Sequence, residues 1–162
     1  MKKDRPVIKA EYGIPEHLEG LLEWSYVEDR MSAAVNYWIV TANRHAKPAA
    51  SPVWGVWSGN KLYFDGSPNT RRGRNINANP QVTVHLEDGT NALIMEGTAE
   101  ILKGKPDAVI ARMVSEGYTA KYKDMGYAPD PEMWDGGGLF IFSPKKVLAW
   151  TKFPEDATRW RF

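Results

Sequence analysis

A mainly β fold, a closed antiparallel barrel with helices flanking it, is what this sequence predicts. Three observations carry the prediction. Short apolar or alternating runs follow one another through brief turns. They do not alternate with helices as the strands of a doubly wound sheet do. The glycines also fall into neither dinucleotide-binding nor P-loop spacing.

Each element has its own signal. Pro15–Met31 reads as a helix: Pro15 suits an early helical position, and Leu18, Leu21, Leu22, Val27 and Met31 keep a helical rhythm. Tyr37–Thr41 is a strand, and Asn43–Pro48 is the turn after it, with Asn43 able to take a left-handed conformation. Ala50–Trp57 is apolar at both parities, which predicts a strand covered on both faces. Ser58–Asn60 is a hairpin turn and Lys61–Asp65 the returning strand. Thr70 caps a short helix that Asn79-Pro80 ends. Gln81–Glu87 alternates, with Val82, Val84 and Leu86 inward. The Asp88-Gly89 turn leads into a long strand, Ala92–Leu102, in which Gly97 marks a bulge or bend. Pro106–Tyr122 reads as an amphipathic helix with Val109, Ile110 and Met113 on its apolar face. Lys123–Gly138 is a loop rich in Pro, Asp and Gly; Leu139–Phe142 and Val147–Thr151 are the last strands. One domain over residues 1–162 is expected: an N-terminal helix at about 15–31, a barrel at about 36–152 and a tail at 153–162.

Composition narrows the function classes. The chain is 43% hydrophobic and 25% charged, with 21 Lys and Arg against 20 Asp and Glu, a net charge of +1. Such a balance predicts no bulk nucleic-acid binding, so anion recognition has to be local. With no cysteine, disulfides and thiolate–metal sites are excluded. His17, His45 and His85 sit in a helix, a turn and a strand without ligand spacing, and no metal is expected. No apolar run reaches membrane-spanning length, and no apolar signal core follows the basic N-terminus. A cytoplasmic protein without membrane partners is therefore expected. Aromatics make up 12% of the chain, useful to a core or an interface and also against a planar ligand.

The most informative stretch is Gly66–Asn75. It turns out of a strand into a helix whose opening carries Arg71, Arg72 and Arg74. Positive charge at a helix N-terminus is unfavourable by roughly 0.3–1 kcal/mol per group. A bound anion reverses that sign, because free N–H groups and guanidinium forks suit a phosphate. Ser67, Thr70 and Asn75 add donors. Pro52 lacks an N–H and interrupts the ladder of its strand, leaving neighbouring backbone groups to face a ligand, while Gly55 permits close approach. No carboxylate pair or nucleophile elbow is visible, which disfavours hydrolysis. A redox cofactor that carries its own chemistry asks the protein mainly for position, hydrogen bonds and dryness.

In order along the chain, Tyr37-Trp38-Ile39-Val40-Thr41, Pro52-Val53-Trp54-Gly55-Val56-Trp57, Leu62-Tyr63-Phe64, Arg72-Gly73-Arg74-Asn75-Ile76, Asn79-Pro80-Gln81-Val82 and Glu96-Gly97-Thr98-Ala99-Glu100 resemble the pyridoxamine 5′-phosphate oxidase-like split β-barrel flavoproteins. Within them the sequence resembles the flavin- and deazaflavin-dependent oxidoreductases, which use FMN or coenzyme F420. The resemblance runs from about Trp24 to the C-terminus. It implies a homodimer with a cofactor at each interface site. It places Ser67, Thr70, Arg71, Arg72 and Asn75 at the cofactor phosphate and the Pro52, Val53 and Trp54 backbone against the ring. It also implies that Trp150, Arg159 and Trp160, at the far end of the chain, help close the site across the dimer. Arg72 stands where the family often has Lys, and Ala46-Lys47 where a Gly usually precedes Pro. The C-terminal Arg-Leu pattern of true pyridoxamine phosphate oxidases is missing, so vitamin B6 oxidation is not predicted.

The expected function is hydride transfer between F420 or FMN and a small organic substrate. F420 is preferred because the Tyr-Trp strand and the Thr-Arg-Trp-Arg-Phe tail are similar to that branch. The alternative is a non-catalytic split-barrel module that binds or senses a flavin, haem or similar planar ligand. No catalytic side chain is assigned.

Overall fold

The computed structural model describes the backbone of residues 1–162 and every side chain but that of residue 10. Its strands are β1 (Lys2–Asp4), β2 (Tyr37–Ala42), β3 (Pro48–Val53), β4 (Val56–Ser58), β5 (Lys61–Asp65), β6 (Gln81–His85), β7 (Leu93–Ile101), β8 (Leu139–Ala149) and β9 (Thr158–Arg161). The helices are α1 (Trp24–Ala33), α2 (Arg71–Ala78) and α3 (Ala108–Tyr122). All nine strands join one antiparallel sheet in the order β1-β9-β8-β7-β6-β2-β3, with β5 also on β8 and β4 on β5. This is the mainly β, split-barrel fold that the sequence predicts. Hydrogen bonds do not close the sheet, since β1 and β3 end its path.

The split arises in β8. Its first residues pair with β5 (Phe142 with Leu62, Leu139 with Asp65), and its last with β9 (Lys146 with Arg161, Ala149 with Thr158). The sequence predicts two strands here, separated around Pro144, but the structure has one. β7 bulges between Glu96 and Gly97, where Gly97 meets Pro144, so the missing N–H falls at a ladder irregularity.

Strand alternation builds two cores on either side of β5 and β8. Leu62, Phe64, Phe140 and Phe142 face the barrel interior with Val27, Met31, Ile39, Val84, Met95 and Trp160. Tyr63, Leu139 and Ile141 face the other way and pack under α3 and Trp134. The strands covered on both faces are therefore β5 and the start of β8. Ala50–Trp57, expected to be that strand, splits into β3 and β4, and β3 is an edge strand with exposed positions.

Three further expectations are corrected. The first helix begins at Trp24, not Pro15: Gly20 is left-handed, and the carbonyls of His17 and Glu19 accept from Arg5 instead of from helical N–H groups. Of the expected apolar face of α3, Ile110 and Met113 pack half-buried against the second core, but Val109 is 76% exposed and the buried face is Ala111, Val114, Ser115, Tyr118 and Tyr122. After β2, Ala46 takes the left-handed conformation; Asn43 instead accepts from the backbone N–H of His45 and Lys47.

The expected tail is strand β9, and it holds β1 in register. Asp4 accepts from Arg159 Nε at 2.8 Å and from Arg161. The hydrogen bond from Arg159, reinforced by that from Arg161 and by both charges, holds the Asp4 carboxyl below its ordinary 3.8. A lowered carboxyl pKa contributes stability above the unfolded value and loses it as pH falls through the folded one. Asp4→Asn is therefore expected to lower the urea midpoint at neutral pH, and the gap from wild type is expected to close on acidification below 3.8. A gap that stays constant to low pH would refute the pairing. No helix of the structure is long and apolar enough to cross a membrane.

Candidate functional site

A cleft of about 530 Å³ opens where the end of β3, the turn after β5, α2 and the loop before β8 converge. It is lined by Pro52, Val53, Trp54, Asp65, Gly66, Ser67, Arg72, Tyr127, Met133, Trp134, Gly137 and Gly138.

Its first wall is made by a break in the sheet. At Trp54-Gly55 the chain leaves β3 before entering β4, so the Gly55 backbone groups need other partners. The end of α3 supplies them. Gly55 N donates to Tyr122 Oη at 3.0 Å, and Lys121 Nζ donates to Gly55 O at 3.3 Å, Ala34 O at 2.9 Å and Tyr37 Oη at 2.8 Å. Burial lowers the Lys121 pKa to about 8. The Trp54 indole stacks on Tyr122, with centroids 4.9 Å apart at 11°. Lys121 and Tyr122, at a helix end in the sequence, thus set the position of Trp54.

The second wall is the turn into α2. Ser67 O accepts from Thr70 N and Oγ1, and Thr70 Oγ1 accepts from Gly73 N at 3.1 Å, the expected N-cap. That geometry sends Arg72 back under the sheet. Its Nη1 donates to Ser51 Oγ at 3.0 Å, and its guanidinium lies 5.7 Å from the Phe64 ring centroid and 5.9 Å from that of Phe140. Nε is buried without a partner. Burial lowers the Arg72 pKa, with the Asp65 charge opposing it; the side chain remains a cation.

The third wall is the loop of 127–138. Trp134 is buried under α3, and Tyr127 donates to Asp65 Oδ2. Burial raises the Tyr127 pKa, and its hydrogen bond to Asp65 raises it further.

Of the residues singled out in the sequence, Pro52, Val53, Trp54, Ser67 and Arg72 come together in this cleft. Thr70 stands beside it as a cap. Arg71 is exposed and donates to Pro48 O at 3.1 Å. Asn75 is buried beneath α2, its Nδ2 on Thr41 Oγ1 at 2.9 Å. Arg159 is bound to Asp4, Trp150 packs on Phe153, and Trp160 is 0% exposed in the barrel core. In this chain Trp160 has no surface with which to close a site. Asp65, Tyr127, Met133 and Trp134 were not anticipated. For the last three the signal was large apolar and aromatic residues inside a segment otherwise composed like a solvated loop; Asp65, at the end of β5, carried none.

The family model described as pyridoxamine 5′-phosphate oxidase matches residues 28–151. No curated protein matches the chain. Among solved structures, the haem storage protein HutZ from Vibrio cholerae is 17% identical with a TM-score of 0.60, covering 77% of this chain and 92% of its own. An F420 reductase is 21% identical with a TM-score of 0.54, covering 74% and 94%. An FAD-binding protein from Mesorhizobium loti is 19% identical with a TM-score of 0.59, covering 85% and 93%. At these identities the structures share the fold, while the match over 28–151 assigns the family: the chain belongs to the pyridoxamine 5′-phosphate oxidase family.

Proposed function

We propose that the cleft binds FMN or F420, F420 preferred, and that the protein is an oxidoreductase acting on a small organic substrate, working as a homodimer. The observation that carries this reading is Arg72. Arg72 is the cation in the cleft lining, and its guanidinium gives one N–H to Ser51 and keeps others free of protein acceptors, as an anchor for an acidic group requires. The cofactor, when bound, supplies the hydride chemistry. The chain's part is to hold an acidic group with Arg72 and Ser67, to present the Pro52–Trp54 backbone to a flat ring, and to exclude water with Trp54, Tyr127 and Trp134. The exposed edge strand β3 is the surface on which a second copy would complete the site. The names of an F420 reductase and an FAD-binding protein among the structural relatives agree with this reading.

One observation favours the alternative, a haem-binding module without turnover: Met133, whose thioether would be able to ligate a haem iron, lines the same cleft. Titrating the purified protein with FMN, F420 and haem, followed by tryptophan quenching, separates the two. The structure also separates the arginines. Arg72→Gln is expected to weaken FMN or F420 binding by about tenfold or more, since a charge-assisted bond is worth roughly 1.5–3 kcal/mol. Arg71→Gln is expected to have a smaller effect, because Arg71 is exposed and reaches Pro48. Equal affinities in wild type and Arg72→Gln would end the assignment, as would tight haem binding with no flavin or F420 binding.

A further inference from the structure

Asp65 is the one acidic residue in the cleft lining. It ends β5, where its backbone pairs with Leu139, so its position is set by the sheet. Oδ2 accepts from Tyr127. Oδ1 lies 3.4 Å from Tyr118 Oη, but that hydroxyl is nearer Trp54 O, at 3.2 Å, and has one proton to give. A carboxylate accepts up to about four hydrogen bonds, so the protein leaves Oδ1 with capacity to spare.

No cation forms an ion pair with it, although Arg72 and Asp65 attract each other across the cleft. Among the described residues, the ion pairs involve Asp4, Glu23, Asp88, Glu96 and Asp135, not Asp65. Arg72 lines the same cleft but uses Nη1 on Ser51 and forms no ion pair with Asp65. A positive and a negative group thus share one cleft, and each retains unused hydrogen-bonding capacity. Such an arrangement is costly without a ligand and complementary to a ligand that matches both groups. Two rings line the same cleft, Tyr127 bonded to Asp65 and Trp54 next to Tyr127, with centroids 5.9 Å apart and tilted by 53°. Aromatic faces next to a carboxylate attract an organic cation.

We infer that the Asp65 end of the cleft selects a substrate carrying a protonated amine, hydrogen-bonded to Asp65 and seated against the Trp54 and Tyr127 rings, beside the anion held by Arg72. This rests on the proposed ligand cleft and adds the substrate's chemical class. Asp65 acts as a specificity-determining residue, and Tyr127 positions its carboxylate.

The test compares three probes of one shape on the full chain: benzylamine as the cation, benzyl alcohol as the neutral form and benzoate as the anion. Calorimetric titrations at neutral pH are run with and without saturating FMN or F420. Wild type is expected to bind benzylamine about tenfold or more tightly than benzyl alcohol, and benzoate most weakly at this end of the cleft. Asp65→Asn, which keeps the shape and an acceptor for Tyr127, is expected to abolish the amine preference while the affinity for benzyl alcohol, the neutral probe, stays within about twofold. Absence of the preference in wild type overturns the inference with no variant needed, and so does its persistence in Asp65→Asn. Failure of both FMN and F420 to bind wild type is a different result: it defeats the proposed cofactor, and the amine preference is then read on the unloaded protein.

Discussion

Replacing Gly73 by alanine is expected to destabilise the protein by about 3 kcal/mol, although alanine is the better helix former. In an isolated helix the change would be favourable by about 1 kcal/mol. Here a Cβ on Gly73 would lie 2.3 Å from Pro68 O, 2.7 Å from Pro68 C and 2.8 Å from Pro68 Cα. These are backbone atoms of the turn that starts α2, and that turn is fastened by Thr70 to the carbonyl of Ser67 and to the N–H of Gly73 itself. No flexible side chain is present to yield, so the overpacking falls at the severe end, about 4 kcal/mol, and outweighs the propensity gain. The strain falls on the residue beside Arg72, so ligand affinity in the cleft should fall together with stability. Gly89→Ala is the control, because a Cβ there meets nothing within 4 Å. Urea unfolding of both variants checks this. A Gly73→Ala protein as stable as wild type would mean that α2 does not lie this close to the Ser67–Thr70 turn.

The contrast between Gly73 and its neighbours shows what could be read in advance. Local signals carried the elements: period-two alternation marked β6, the Thr70 cap marked α2, and Gly97 marked the bulge in β7. Each depends on residues close in sequence. Wherever a long-range partner decides, the sequence misled. Pro15–Glu23 has helical rhythm, but its carbonyls go to Arg5. Ala50–Trp57 is apolar like a buried strand, yet β3 is an edge, and its break at Gly55 is stabilised by Lys121 and Tyr122, 66 and 67 residues away. The site follows the same rule. Arg72 was legible as a residue of the cleft because its turn is local. Asn75, one helical turn on, points inward to Thr41, which only the packing of α2 on β2 decides. Asp65 and Tyr127 meet because β5 and the loop before β8 converge, a relation that neither segment contains by itself.

Arg5 gives the other large expected effect, and it tests how the two ends of the chain hold the barrel. The side chain is 9% exposed, and no carboxylate accompanies it. It donates instead to carbonyls: Nε to His17 at 3.0 Å, Nη1 to Glu155 at 2.6 Å and Ala157 at 3.2 Å, and Nη2 to Glu19 at 2.5 Å. One guanidinium thereby ties the segment before α1 to the turn before β9. Arg5→Met has similar bulk but donates nothing. Bonds to a charged donor are worth roughly 1.5–3 kcal/mol each. The carbonyls of His17 and Glu19, in an exposed segment, can turn to water, whereas that of buried Ala157 cannot do so freely. Removing the desolvation of the guanidinium returns part of the loss, leaving a net destabilisation of about 3–5 kcal/mol. Arg5→Lys should recover only a fraction, because an ammonium cannot span carbonyls arranged around a planar fork. The expected order of urea midpoints is wild type, then Arg5→Lys, then Arg5→Met. Hydrogen exchange should rise first in β1 and β9, which share this fastening. Since no wall of the cleft includes Arg5, ligand affinity measured where the variants are still folded should not change. A parallel loss of affinity would mean that the cleft and the terminal strands unfold as one unit.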